Sequence, residues 1–214
     1  TLFNIKNTQT ADRTVTFASG NTTITGNLGF NLSSSGDITM NNSANNPNIE
    51  VRGNVSVSET GSGTLNWTKG NGNITLGNHS SDGTQTIDFN DFALENLVIN
   101  GAGDVKQLTD GVTTDSLTIT AGTLDLNSQT YALAAAGNLS NEGTLLLNGD
   151  ETVTNLSGDP DSGTVIYDGA VTSTIPDIDS YYNLTFNTVG GTWTLPSATD
   201  INGNLNIASG TLNS

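Results

Sequence analysis

The chain has 214 residues, of which 33% are apolar and only 6% aromatic, so one thick core cannot be filled and many thin layers suit the supply better. Five basic residues stand against 21 acidic ones, a formal net charge of −16, which repels phosphate backbones and anionic lipid surfaces and so disfavours nucleic acid and membrane insertion. The absence of cysteine removes thiol catalysis, thiolate zinc sites and iron–sulfur clusters.

Short alternating runs follow one another every eight to ten residues or so. They read Thr14–Phe17, Thr22–Thr25, Asp37–Met40, Asn54–Val57, Thr64–Trp67, Asn73–Leu76 and Thr86–Phe89, then Asn96–Ile99, Ser116–Ile119 and Thr123–Leu126. Gly143–Leu147, Thr164–Tyr167, Asn183–Phe186, Thr192–Leu195 and Asn204–Ile207 complete the series. Turn formers such as Ser19-Gly20-Asn21, Gly61-Ser62-Gly63, Ser81-Asp82-Gly83 and Asn148-Gly149-Asp150 separate them. The one helix-like stretch, Tyr131–Ala136, is too short to be a stable helix. Pro47, Pro160, Pro176 and Pro196 fall between or at the ends of the runs, where a missing N–H does no harm. The fold class is all-β.

The phrase Asn96-Leu97-Val98-Ile99 … Leu117-Thr118-Ile119-Thr120-Ala121-Gly122-Thr123-Leu124 returns as Asn183-Leu184-Thr185-Phe186 … Leu205-Asn206-Ile207-Ala208-Ser209-Gly210-Thr211-Leu212. The offset is 87 residues at its start (184 − 97) and 88 at its end (205 − 117). A further copy, Thr23-Ile24-Thr25-Gly26-Asn27-Leu28, matches Asp200-Ile201-Asn202-Gly203-Asn204-Leu205 at an offset of 177. Recurrence on this scale marks an elongated array. The expectation is one continuous array over 1–214, with approximate units 1–90, 91–177 and 178–214. The last unit is incomplete, which points to a section of a longer polypeptide.

Two architectures fit the pattern: a parallel β-helix (β-solenoid) of short rungs, about four turns of roughly 20 residues per unit, or a tandem of immunoglobulin-like sandwiches. The solenoid is favoured. The runs are short, and the local phrase Gly122-Thr123-Leu124, Gly137-Asn138-Leu139, Gly143-Thr144-Leu145 recurs within one unit. Trp67 and Trp193 also occupy different points of the long period, so neither is a repeated sandwich pin. Stacked turns let Asn and Thr side chains align in ladders between rungs.

Asn183–Phe186, Asn202–Leu212 and Gly163-Thr164-Val165-Ile166-Tyr167-Asp168-Gly169 resemble the Asn/Thr/Gly-rich repeats of large prokaryotic cell-surface proteins. Those are the adhesins of the autotransporter and filamentous-haemagglutinin kind. The resemblance covers most of the chain by composition. It implies a right-handed parallel β-helix in an extracellular or cell-surface structural role, and it brings no catalytic motif.

Residues that carry chemistry are sparse. His79 is the only histidine, in a segment read as an exposed loop, and no Gly-x-Ser-x-Gly elbow accompanies it. The carboxylate pairs Asp159/Asp161 and Asp177/Asp179 have the spacing that shares one strand face, but they flank Pro160 and Pro176 and read as solvated turns. A loose calcium site is the second reading of those pairs and glycoside hydrolysis the third. Gly101-Ala102-Gly103-Asp104 is an isolated fragment of a calcium-binding nonapeptide and reads as a turn. The cations Lys6, Arg13, Arg52, Lys69 and Lys106 are scattered. Trp67, Trp193, Tyr181 and Tyr182 suit sugar stacking only if exposed, and Tyr181-Tyr182 should place one ring inside and one outside. Asn-x-Ser/Thr triplets begin at Asn21, Asn31, Asn54, Asn66, Asn73, Asn78, Asn138, Asn155 and Asn183, as expected by chance at this composition.

The expectation is a non-enzymatic, extracellular structural protein without a required cofactor: part of a stalk, fibre or adhesin. Its partners are further repeats or a second copy, with Thr1–Asn7 able to pair head-to-tail. A carbohydrate-binding or polysaccharide-degrading β-helix is the alternative.

Overall fold

In the computed structural model the chain is all-β and coils into a β-solenoid of about 10 turns. The structure describes residues 2–213 apart from 80–82, 136, 177, 179, 197 and 198. Every strand pairing among the described residues is parallel. That excludes the immunoglobulin-like alternative, whose sheets are antiparallel. Tyr131–Leu133, inside the helix-like stretch, is a strand.

Each turn lays strands on three faces. Leu2–Asn7, Arg13–Val15 and Asn21–Ile24 open the first, second and third faces, and Asn27–Leu32, Ile38–Asn41 and Asn48–Val51 form the next turn above them. Later strands run on around the corners. Ala93–Leu108, Val112–Asp125 and Ser180–Thr194 each cross from one face to another. Several short strands were not legible as runs, among them Asn48–Val51, Leu139–Asn141 and Val153–Thr154.

The core is a set of vertical columns. On the third face, Val51, Leu76, Ile99 and Ile119 are in register from turn to turn and fully buried. On the first face, Leu124, Leu145, Val165 and Leu184 do the same. Period-2 alternation turns one side chain inward and the next outward, so each rung contributes only two or three apolar groups. Stacking supplies the neighbours that a single rung lacks.

Asparagine ladders run beside the columns. Asn48 donates its Nδ2 to Asn21 Oδ1 (3.0 Å) and accepts the Asn73 N–H on its own Oδ1 (3.0 Å). Asn27 Oδ1 takes the Asn54 N–H (2.9 Å), Asn54 Oδ1 the Thr86 N–H (3.1 Å), and Asn183 Oδ1 the Asn204 N–H (3.1 Å). These side chains satisfy backbone donors at the corners, where the sheet ladder is interrupted.

Turn size changes along the rod. Leu28 pairs with Val55, 27 residues on, and Ile49 with Ile74, 25 on, whereas Leu97 pairs with Leu117 and Thr144 with Thr164 at 20. Between these sections one turn stretches to 32, from Val55 to Ile87.

The long recurrence has a specific geometry. Leu97 lies on the third face, in the column of Ile74 and Leu117, while its counterpart Leu184 lies on the first face between Val165 and Leu205. The offset of 87 residues is therefore four turns plus one face. What recurs is a bulged corner. The ladder slips between Ile99 and Asn100 and again between Phe186 and Asn187. Gly103 and Gly190 share positive φ (83° and 89°), as do Gly122 and Gly210 (86° and 92°).

At Gly122 an added methyl would overlap the Gly101 carbonyl, whereas the space around Gly20 (φ 102°) is open. Gly20→Ala should therefore cost only the left-handed backbone penalty of about 1–2 kcal/mol. Gly122→Ala should cost clearly more. Urea unfolding of both variants checks the order, and equal losses would refute the corner overlap.

Candidate functional site

A buried ion pair and a buried glutamine lie where the turn size changes. The first-face column that is Leu124, Leu145 and Val165 higher up is occupied there by Gln85 and Lys106, in register and fully buried. They reach carbonyls beside the stretched turn, and that of Val51 also accepts the Gly77 N–H from the rung above (2.9 Å). Gln85 Nε2 donates to the Val51 carbonyl (3.3 Å) and to the Gly53 carbonyl. Lys106 Nζ donates to the Gly77 carbonyl (2.8 Å) and to Asp104 Oδ2 (3.0 Å), and Asp104 Oδ2 also accepts the His79 N–H (2.6 Å).

Lys106 and Asp104 are 0% and 2% exposed, so this is a buried ion pair. Burial alone would push the Asp104 carboxyl up. The His79 N–H and the Lys106 ammonium outweigh it and leave the group below the ordinary carboxylate value. Burial lowers the Lys106 ammonium, and Asp104 offsets only part of that. Gly101 has to lack a side chain, because a Cβ would sit 2.7 Å from Asp104 Oδ2 and 2.9 Å from Lys106 Nζ. Gly101-Ala102-Gly103-Asp104 is thus no free turn but part of the strand Ala93–Leu108.

A second polar inlay lies on the second face at the same level. Glu95, 0% exposed, accepts Asn42 Nδ2 (2.7 Å) and Trp67 Nε1 (2.8 Å). Neither Glu95 nor Gln85 could be singled out in the sequence. Both sit in Thr/Asn/Leu-rich text with no motif, and only their inward register marks them.

Three of the scattered cations are paired with carboxylates. Arg52 pairs with Glu50 (2.8 Å), Lys69 with Asp115 (2.5 Å) and Lys106 with Asp104. Exposed pairs such as the first two contribute little to stability. The Arg52 side-chain hydrogen bond holds the Glu50 carboxyl below its ordinary value.

Asp159 and Asp161 do share a face, but at the head of the strand Asp159–Tyr167 rather than in a solvated turn. Asp159 accepts the Asn141 N–H from the turn below (2.5 Å). Burial opposes its ionisation, and that backbone bond with its other hydrogen bonds still leaves its carboxyl low. Asp161 is pushed up by the hydrogen bond and charge of Asp159. Asp177/Asp179 lie outside the described residues. Among the described residues no three His, Asp or Glu side chains are grouped so as to hold a metal ion.

Of the aromatic candidates, Trp193 and Tyr181 are buried at 0% and 1% and Trp67 is partly buried. Tyr182, at 38%, is the exposed one, so the Tyr181-Tyr182 alternation is as expected. Trp193 instead packs on Phe186 (5.0 Å between centroids), which stacks on Tyr167 (5.6 Å). On the outer surface a shallow groove of about 350 Å³ is lined by Asn21, Thr23, Asn48, Glu50, Asn73 and Thr75, without an aromatic ring. Lys106, Asp104, Glu95 and Asp159 thus bond backbone groups, each other or neighbouring side chains. Comparison of the chain with known protein families, curated proteins and solved structures finds no match.

Two outcomes test this reading. Lys106→Met, which leaves Asp104 buried and unpaired, should cost about 3–5 kcal/mol in denaturant unfolding. A Lys106→Met/Asp104→Leu double variant should recover most of that loss. The second test concerns Asp168, whose carboxyl is raised by burial and then by Asp125 and Glu151. A raised folded pKa contributes stability below the unfolded value, and that contribution is lost as pH climbs through the raised one. Asp168→Asn should therefore raise the melting midpoint at about pH 7 and leave it unchanged at about pH 3, below the ordinary Asp range.

Proposed function

We propose that the chain is a non-enzymatic structural segment of an extracellular or cell-surface stalk, fibre or adhesin, a rigid spacer built by stacking. The observation that carries this reading is the parallel stacking of about 10 turns on buried columns, flanked by Asn ladders, in which the polar groups found inside bond the backbone or one another. A spacer needs length and stiffness. Parallel rungs about 4.8 Å apart give the section a length of about 48 Å, and each further turn of about 20 residues would add one rung.

The last described rung leaves apolar side chains open to a stacked neighbour. Leu205 and Ile207 are 46% and 48% exposed, while Leu184 and Phe186 directly below them are 0% exposed. A further turn, of the same chain or of a second copy, would cover these groups. The net charge of −16 favours solubility and keeps the sides of neighbouring rods apart. The polysaccharide alternative has less support, since Tyr182 is the exposed member of the four aromatic candidates.

Head-to-tail fusions of one, two and three copies should lengthen by a constant step of about 48 Å in negative-stain images. Compact particles with no such step would reject the spacer. Antibody labelling of intact producing cells tests the location separately, and signal only after permeabilisation would reject a surface role.

A further inference from the structure

In the upper turns the outward positions of the first face are uncharged but mixed, among them Leu146, Ile166, Asn183 and Asn204, whereas those of the second face are nearly all threonine. They are Thr172 and Thr174, then Thr192 and Thr194, then Thr211 and Asn213, paired in register from Thr172 to Thr192 to Thr211 and from Thr174 to Thr194 to Asn213. The turn below repeats the pattern with Thr152 and Thr154, both exposed. None of the 21 carboxylates occupies one of these outward positions, although Asp150 and Asp168 lie at the adjoining corner. The inward residues behind them include the fully buried Trp193, which backs the sheet.

We propose that this threonine mesh binds ice. Three properties support the assignment, which rests on solenoid geometry and not on the spacer reading. Parallel rungs repeat at about 4.8 Å, and alternate residues along a strand at roughly 6.6 Å, so the side chains form a rectangular grid. Prism faces of ice repeat on a rectangular grid of closely similar dimensions.

Second, among the described residues the hydroxyls of Thr172, Thr174, Thr192, Thr194 and Thr211 have no side-chain partner, in contrast to Thr23, which bonds Glu50, and Thr114, which bonds Tyr131. They are available to a lattice of water. Third, a β-branched side chain is stiff at χ1. An ordered row of threonines therefore loses little rotamer entropy on docking to a solid, while its methyl groups leave room for lattice water between rows. A charged side chain would hold a hydration shell that does not fit the lattice, and the outward positions named carry no charge.

The experiment grows ice slowly on a cold finger from a solution of the purified chain and an inert acidic protein of similar size. Enrichment of the chain in the ice fraction over the control is expected. Thr172→Tyr/Thr192→Tyr, with far-UV dichroism unchanged, should fall to the control level, and Thr118→Tyr on the third face should keep the enrichment. Should the double variant lose its fold, Thr211→Lys replaces it, with the same loss expected. Exclusion of the unaltered chain from ice would overturn the proposal, and so would full enrichment of a folded mesh variant. Side-by-side dimers in solution that Thr192→Tyr abolishes, without ice enrichment, would reassign the face to self-association and also overturn it.

Discussion

Parallel hydrogen bonding at one rung spacing is the constraint on which everything else in this molecule depends. Every turn must return to within one spacing of the turn before, in register, or its backbone donors and acceptors lose their partners. That requirement dictates what each position holds. Inward positions become apolar columns because the residue above and the residue below face the same interior. Outward positions become rows of like side chains for the same geometric reason. Corners, where the ladder is broken, are filled by Asn and Gly: one supplies a replacement acceptor, the other a left-handed backbone.

The buried polar residues show the same constraint under stress. Between Val55 and Ile87 the chain takes 32 residues for a turn that elsewhere takes 18 to 27. The extra length cannot lie in the ladder, and beside it the carbonyls of Val51, Gly53 and Gly77 take side-chain donors. Gln85 and Lys106 reach them, at the expense of two apolar places in the column. Lys106 then requires Asp104, and the pair in turn requires a glycine at 101. One irregular turn thus accounts for an ion pair and a glycine that would otherwise pass for a reactive site.

Much of this was legible in the sequence, for a physical reason. Runs such as Asn73–Leu76, Asn96–Ile99 and Thr164–Tyr167 alternate with period two because one side of each rung is buried, and alternation survives translation into text. The ladder role of asparagine was legible too, because repetition of a polar residue at corner positions has few other causes. The placement of Lys106, Glu95 and Asp159 was not. Their roles depend on which donor or acceptor in another turn lies within reach, 18 to 53 residues away along the chain, and no local pattern encodes that distance. The exposure of Trp193, on which sugar stacking was conditional, was not legible either. A ring that could serve a sugar is read from its type, whereas its burial under Gly149 and against Phe186 follows from the stack.

The recurrence does not keep to one direction around the axis. Leu97 and its counterpart Leu184 stand on different faces, whereas Leu28 and Leu205, matched at an offset of 177 residues, stand on the same one. A partner that recognised the phrase would therefore meet it on more than one side of the rod, as a key meets cuts on two edges of its blade.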